Sequence, residues 1–153
     1  MSIVSSTRTR PRVAEPRGSR GLLDTSVVID LERMAPEALP AELAVAAVTF
    51  AELAAGPHAA TDSTERARRQ ERLQRAEATF DAIPFDAAAA RAYGRPYAEV
   101  ASGGRKTRRR RAIDLLIAAT ALAADLPLLT RNPSDFEGLD RLIGVTPVPK
   151  AAD

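Results

Sequence analysis

The sequence predicts an α/β domain with a central parallel sheet of four to five strands flanked by helices. Short apolar runs of strand length recur at residues 22–23, 43–48, 126–130 and 145–148. Segments with helical spacing of apolar residues separate these runs. Strands that alternate with helices are typical of βαβ units, in which the strands run parallel.

Composition places the chain in a narrow class. Its 153 residues suffice for one domain with a core and are too few for two. The absence of cysteine excludes disulfides and cysteine-based zinc sites, and it fits a reducing compartment. A single histidine, His58, excludes a multi-histidine metal site. We find no secretory signal and no apolar run of the ~20 residues that span a bilayer, so we expect a cytoplasmic protein without membrane contact.

The charge is distributed unevenly. Residues 1–20 contain five arginines and one glutamate, although the whole chain carries a formal charge of only +2. These residues include few apolar side chains, and we predict a disordered basic arm. The folded domain is assigned to residues 21–150, which are slightly acidic.

The stretch GLLDTSVVID, residues 21–30, organises the prediction. We predict that a short buried strand ends at Asp24, followed by a turn and a helix that reaches about Met34. Ligands of open α/β sheets bind beyond the carboxyl ends of the strands, which makes Asp24 a candidate for chemistry. The alternative is that Asp24, Thr25 or Ser26 caps the helix.

A second acid follows the second predicted strand. Residues 43–48 lead into a helix that contains Glu52 and that we expect to stop at Gly56-Pro57. Thr49 and Glu52 have the spacing of a capping box, which is the structural alternative for Glu52. A capping role and a chemical role do not exclude each other.

Two helices in the middle of the chain predict a protruding hairpin. Asp62 caps the first, residues 66–81, and Asp86 caps the second, residues 87–100. A brief extended link joins them. The arginines of the first helix alternate with glutamates, as on a solvated face. We expect three apolar side chains to be exposed on this hairpin: Phe80, Tyr93 and Tyr97.

The last part of the chain contributes two further acids. Residues 113–122 are apolar nearly all round and predict a buried helix with Asp114 in its first turn. The basic run RKTRRRR, residues 105–111, precedes it and is either solvated or a phosphate-contacting patch. Beyond the strand of residues 126–130, a loop carries Asn132 and Asp135. An edge strand follows at residues 145–148.

Asp24, Glu52, Asp114 and Asp135 can therefore meet at one edge of a parallel sheet. Two like charges ~4 Å apart repel by about 4 kcal/mol at an intermediate dielectric. A divalent cation would remove this repulsion, and oxygen ligands without His or Cys favour Mg²⁺, with Mn²⁺ as a substitute. Such a site can activate water for phosphodiester displacement.

Four segments, LLDTSVVIDL, TFAELAAG, IDLLIAATAL and LLTRNPSDF, resemble in order the motifs of PIN-domain ribonucleases. More narrowly, they resemble VapC-type toxins of bacterial toxin–antitoxin operons. The resemblance covers about residues 21–148. It implies principal metal ligands at Asp24 and Asp114, with Glu52 and Asp135 completing the quartet, some through water. It also implies hydrogen bonds to substrate or ligands from Ser26 and Asn132.

The family resemblance also implies a function. We expect a Mg²⁺-dependent endoribonuclease, with RNA as substrate, a VapB-type antitoxin as partner and a homodimer as the assembly. The family's helical hairpin often receives the antitoxin. The arm and the basic run lie outside the family pattern, and we expect Arg111, which is one turn before Asp114, to contact substrate or to order the acids.

Other classes of protein are alternatives to this function. A haloacid dehalogenase-type phosphatase needs a second Asp two residues after the first, where this chain has Ser26. A receiver domain needs a Lys after a late strand, where this chain has Thr130-Arg131. A housekeeping PIN nuclease and a non-catalytic PIN-like nucleic-acid-binding module remain alternatives. A DNA-binding module that uses the arm and the basic run has no helix-turn-helix or repeat to support it.

Overall fold

The sheet has five strands, all parallel, in the order β3-β2-β1-β4-β5. The computed structural model of the protein describes residues 20–103 and 109–149, with residues 109 and 110 described by their backbone only. The strands are β1 Arg20–Leu23, β2 Glu42–Ala46, β3 Ala82–Ile83, β4 Leu128–Thr130 and β5 Val145–Pro147. The predicted parallel sheet is confirmed, and the segment that we expected to be a mere link supplies the edge strand β3.

Six α-helices surround the sheet in the described residues. They are α1 Thr25–Ile29, α2 Ala47–Ala59, α3 Ser63–Thr79, α4 Ala87–Ala92, α5 Gly94–Ser102 and α6 Arg109–Ala123. Short 3-10 helices span Leu31–Arg33, Pro36–Ala38 and Pro133–Phe136. No helix of the described residues is sufficiently long and apolar to traverse a membrane.

Two hydrophobic clusters cover the two faces of the sheet. Leu22 and Leu128 pack with α6 on one face, whereas their neighbours Leu23 and Leu129 pack with α1 and α2 on the other. Successive side chains of a strand point to opposite faces, so the apolar pairs of β1 and β4 serve both clusters. A strand buried on both faces is apolar throughout, as expected for a parallel sheet.

The predicted basic arm lies almost wholly outside the described residues. Arg20, which we assigned to the arm, is the first residue of β1. The basic run of residues 105–111 also lies outside the described residues, except for the backbone of residues 109 and 110 and for Arg111.

Helix α1 is shorter than predicted. It ends at Ile29 rather than near Met34, and a 3-10 turn continues the chain. Asp30 leaves the α conformation, with φ −105° and ψ 17°. Its carboxylate forms an ion pair with Arg131, which holds the chain at this point against the loop after β4.

Helix α2 overturns the capping-box prediction. The helix begins at Ala47, with Ala46 as its N-cap, so Thr49 is inside the helix and is fully buried. The prediction that Gly56-Pro57 stops the helix is also wrong, because α2 continues to Ala59. A proline this close to the end removes only one backbone donor from the last turns.

The helical hairpin is present, but α3 pairs with α2 rather than with the helix that follows. Two arginines that we placed on a solvated face explain the pairing. Arg69 Nη1 donates to Gly56 O at 2.9 Å, and Arg66 Nε donates to Pro57 O at 3.3 Å. These carbonyls belong to the last turn of α2, where side-chain cations interact favourably with the carbonyl end of a helix, and the Pro57 carbonyl also accepts from the Ala60 amide.

The predicted helix of residues 87–100 is two helices. α4 and α5 meet at Tyr93, because Pro96 has no amide hydrogen for the carbonyl one turn earlier. Both helices pack on α6. The expectation of three exposed aromatics holds only for Tyr97, which is 45% exposed, since Tyr93 and Phe80 are half-buried against the core.

Helix α6 begins at Arg109, five residues before Asp114. Asp114 is therefore in the second turn of the helix, and the prediction that it is in the first turn is wrong. The predicted burial of this helix is confirmed, since Leu115, Ile117 and Ala118 are almost completely buried.

Candidate active site

Asp24 is the N-cap of α1 and is only 5% exposed. Its Oδ1 accepts hydrogen bonds from Ser26 Oγ at 2.5 Å and from the Val27 amide at 3.2 Å. The capping alternative is therefore correct. It accounts for Oδ1 alone, because the other carboxylate oxygen faces a different part of the fold.

Hydroxyl groups connect Asp24 to the loop after β4. Asp24 Oδ2 accepts a hydrogen bond from Thr130 Oγ1 at 2.6 Å. Thr130 Oγ1 in turn accepts a hydrogen bond from the backbone N–H of Asn132 at 3.0 Å. Ser26 Oγ likewise accepts a hydrogen bond from the Arg131 amide at 3.1 Å. Each hydroxyl thus donates to the acid and accepts from the loop, which fixes the loop relative to the acid.

Burial raises the pKa of Asp24 above its ordinary value of 3.8. The hydrogen bonds from Ser26, Thr130 and the Val27 amide lower the pKa, but they do not cancel the effect of burial. Ionised Asp24 is therefore a destabilised group, and a nearby positive charge would relieve it.

Glu52 contacts the residue that follows Asp24. It is half-buried on α2, and its Oε1 is 2.5 Å from Oγ1 of Thr25, the residue that directly follows Asp24. Thr25 Oγ1 is also 3.2 Å from Thr49 Oγ1. The structure thus brings two of the four predicted acids to adjoining positions at the carboxyl ends of β1 and β2.

Arg111 joins the start of α6 to the loop that carries Asp135. Its Nη1 donates to the backbone carbonyl of Asp135 at 2.8 Å. Asp114 is one turn further along α6, and both acids are half-buried. The contact places the start of α6 at the end of the sheet where β4 terminates, which is also the end where Asp24 lies.

The four acids do not form a closed cage. Within the described part of the chain, no three acidic or histidine side chains are arranged to hold one metal ion. Both carboxylate oxygens of Asp24 accept hydrogen bonds, Oδ1 from Ser26 Oγ and the Val27 amide and Oδ2 from Thr130 Oγ1, and the Ser26 backbone donates a further one to this carboxylate. Mg²⁺ typically binds through one or two carboxylates and keeps several waters. The residues therefore fit a hydrated divalent cation on Asp24, and the ligand roles of Glu52, Asp114 and Asp135 stay predictions.

The predicted hydrogen-bonding residues take different places. Ser26 spends its hydroxyl on Asp24 and on the loop. Asn132 is exposed, and its backbone is fixed by the bond from its amide to Thr130 Oγ1 and by the bond that its carbonyl accepts from the Asp135 amide at 2.9 Å. Their roles toward substrate stay predictions.

Sequence analysis named Thr25 and Thr49 only as capping candidates and missed the hydrogen bonds that Thr25, Thr49 and Thr130 form at this site. Thr49 and Thr130 are fully buried, and a buried hydroxyl needs a hydrogen-bond partner. A threonine at the end of an apolar strand or next to a candidate acid was the signal available in the sequence.

Comparison with known proteins identifies the family. Residues 21–142 match the PIN domain. The chain belongs to the PIN-domain family. It is 41% identical over 123 residues to ribonuclease VapC5 of Mycobacterium tuberculosis, an alignment that covers 78% of this chain and 87% of the relative. The family resemblance stated from the four motifs is confirmed.

Solved structures agree with this assignment of the PIN domain. The crystal structure of VapBC-5 from Mycobacterium tuberculosis matches with a TM-score of 0.75 at 34% identity, over 86% of this chain and 100% of that one. FitAcB from Neisseria gonorrhoeae matches with a TM-score of 0.64 at 27% identity, over 82% and 95%. PIN-domain ribonucleases generally use divalent metal ions.

Proposed function

We propose that the protein is a metal-dependent endoribonuclease and the toxin of a VapBC-type toxin–antitoxin pair. The observation that carries this is the buried Asp24, whose pKa is raised by burial and whose neighbour Thr25 contacts Glu52. The relative at 41% identity is a ribonuclease by name, which supports RNA as the substrate.

Mg²⁺ is the proposed ion, with Mn²⁺ as a substitute, and Asp24 and Asp114 are its proposed principal ligands. Glu52 and Asp135 would complete the acidic set, some through water. When bound, the ion would supply charge neutralisation at the scissile phosphate and lower the pKa of the attacking water.

The protein's own residues prepare this site. Ser26 and Thr130 hold the Asp24 carboxylate in one orientation. Arg111 holds the loop that carries Asp135, and the exposed side chain of Asn132 would hydrogen-bond the RNA.

The test is cleavage of a structured RNA by protein freed of any antitoxin, with and without Mg²⁺ or Mn²⁺. We expect cleavage only with the ion, and we expect Asp24→Asn and Asp114→Asn each to nearly abolish it while the fold persists. Asp62→Asn is the matched control, because Asp62 caps α3 in the same way but is exposed. Cleavage that survives EDTA would contradict the proposal.

A groove of about 540 Å³ between the α1 segment and α3 is the proposed docking site for the antitoxin. Val28, Ile29 and Phe80 contribute apolar surface to it. Ile29 is 41% exposed, which is unusual for a residue of its size in this fold. An amphipathic segment of the partner would cover this surface.

Charge in the groove favours an acidic partner segment. Four arginines and three acids line it. Arg75 bonds both Glu32 and Glu71. Arg33 and Arg72 have no ion pair within the residues that the structure describes, so the groove presents uncompensated positive charge.

The homodimer stays a prediction, and sedimentation velocity of the antitoxin-free protein tests it.

A further inference from the structure

We infer that Thr25 is a positioning residue for RNA cleavage, because its hydroxyl holds the carboxylate of Glu52, a proposed metal ligand. This inference rests on the proposed function and adds a residue to it. Thr25 is the first residue of α1, and Glu52 is on α2, so the contact also joins the two helices that follow neighbouring strands.

The direction of the hydrogen bonds follows from the donors available. Thr25 Oγ1 has one hydrogen, and an ionised carboxylate only accepts, so Thr25 donates to Glu52 Oε1 at 2.5 Å. The 3.2 Å contact with Thr49 then requires Thr49 to be the donor. The result is a chain from Thr49 through Thr25 to Glu52, in which each bond polarises the next.

The first residue of this series of hydrogen bonds, Thr49, is held firmly in place. Thr49 is fully buried inside α2, one turn before Glu52. A glutamate side chain has three rotatable bonds and loses much rotamer freedom when it is fixed. A hydroxyl placed on one of its oxygens selects a single orientation before any ion or RNA arrives.

The three consecutive residues of the DTS motif thus have distinct tasks. Asp24 offers a carboxylate, Ser26 orients that same carboxylate, and Thr25 orients the carboxylate of the next strand's helix. Groups that orient metal ligands typically contribute ~10–100-fold in metal affinity or activity when tested by mutation.

The test compares Thr25→Val, which removes the hydroxyl at nearly constant volume, with Thr25→Ser, which keeps it. Three properties of each variant are measured. They are the Mn²⁺ affinity by calorimetry, kcat and KM for cleavage of a defined RNA, and the melting temperature in EDTA. We expect Thr25→Val to weaken Mn²⁺ binding and lower kcat by ~10–100-fold with KM unchanged, as for residues that orient ligands. Thr25→Ser should remain close to the parent. A purely structural role would lower Tm in EDTA without this pattern.

A double-mutant cycle locates the effect. If Thr25 acts through Glu52, adding Thr25→Val to Glu52→Ala should change Mn²⁺ affinity and kcat no further. Thr49→Val should cause a smaller loss than Thr25→Val, since it removes only the outer bond of the chain. It carries the test if Thr25→Val proves unstable.

Two results separate the inference from the function beneath it. The inference alone would be overturned if the parent were active and Thr25→Val were equally active. It would also be overturned if the loss of activity caused by Thr25→Val added fully to the loss caused by Glu52→Ala. A parent that neither binds Mn²⁺ nor cleaves RNA would overturn the proposed function and this inference with it.

Discussion

Asp24 is a charge held where the fold disfavours charge. Its folded-state pKa is raised, so the folded protein binds a proton at Asp24 more tightly than the unfolded chain does. Stability from this group is present at pH below its ordinary value of 3.8 and is lost as pH rises through the raised value. At pH above the raised value, the metal-free protein carries the penalty of an ionised, buried carboxylate.

We therefore predict that Asp24→Asn melts at or above the temperature of the parent in EDTA at neutral pH. Asparagine keeps an acceptor for Ser26 and the Val27 amide, although Thr130 loses the acceptor for its hydroxyl. The difference in Tm should shrink as pH falls toward 4, where the parent carboxyl also becomes neutral. Differential scanning calorimetry at two pH values measures this.

Bound metal should reverse the order of the melting temperatures of the parent and Asp24→Asn. Added Mn²⁺ stabilises whichever protein binds it in the folded state, so we expect it to raise the Tm of the parent and not of Asp24→Asn. The exposed cap variant Asp62→Asn should respond to Mn²⁺ like the parent. A large loss of Tm for Asp24→Asn in EDTA would mean that its hydrogen bonds outweigh its burial.

The site residues show what a sequence reveals at this scale. Asp24 and Glu52 were predictable because acids that follow apolar strands gather at one edge of a parallel sheet. The hydrogen bonds of Thr25 and Thr130 were not, because a position next to an acid or at a strand end marks a threonine as a candidate but does not identify its acceptor. Thr130 and Asp24 are neighbours only because β4 pairs with β1.

At the level of elements, one ion pair joins the end of α1 to the loop after β4. Asp30 and Arg131 have side chains that are only 20% and 25% exposed. The amide of Arg131 also donates to Ser26, so the pair supports the same loop that orients Asp24. Removing one partner leaves the other charge largely buried and unpaired.

We predict that Asp30→Asn or Arg131→Met lowers the free energy of unfolding by about 1–3 kcal/mol, the cost of leaving a buried polar group unpaired. The double variant should lose less than the two single losses combined. Chemical denaturation provides the measurement.

The pair formed by Arg20 and Glu42, 3.7 Å apart with side chains 52% and 73% exposed, is the matched control. Exposed pairs contribute ~0–1 kcal/mol, so Glu42→Gln should have little effect. Equal losses at the two pairs would show that burial does not decide their strength.

Element order was largely predictable from the sequence, and element boundaries were not. The capping-box spacing of Thr49 and Glu52 was misleading because α2 begins earlier, at the end of β2. The hairpin partner was wrong because the contacts of Arg66 and Arg69 with the end of α2 depend on tertiary structure. Strand β3 has two residues, too few for a periodic signal, and it exists because β2 offers an edge for pairing.

For the whole molecule, the proposed groove predicts a separation of functions. Ile29→Glu places a charge on the apolar surface of the groove, and we expect partner affinity to fall at least about tenfold, as at interface anchors. RNA cleavage by the isolated protein should not change. Affinity is measured by calorimetry, and toxicity by growth of a bacterial host.

When the partner is co-expressed, it should relieve the growth arrest that the parent causes. It should not relieve the growth arrest that Ile29→Glu causes. Tyr97→Glu is the control, because Tyr97 is also an exposed large apolar residue but is on α5, away from the groove. If the partner rescues all three proteins equally, it docks elsewhere. Unimpaired growth with active protein would instead favour a housekeeping nuclease.

Both outer strands of the sheet are poor templates for further strands. β3 is two residues long and is followed directly by Pro84, and β5 ends at Pro147, which has no amide hydrogen to donate. Short strands and prolines at sheet margins discourage edge-to-edge polymerisation. Copies of this protein that have lost their partner should therefore resist amyloid-like stacking, and any self-association at high concentration should proceed through helix surfaces and remain reversible on dilution.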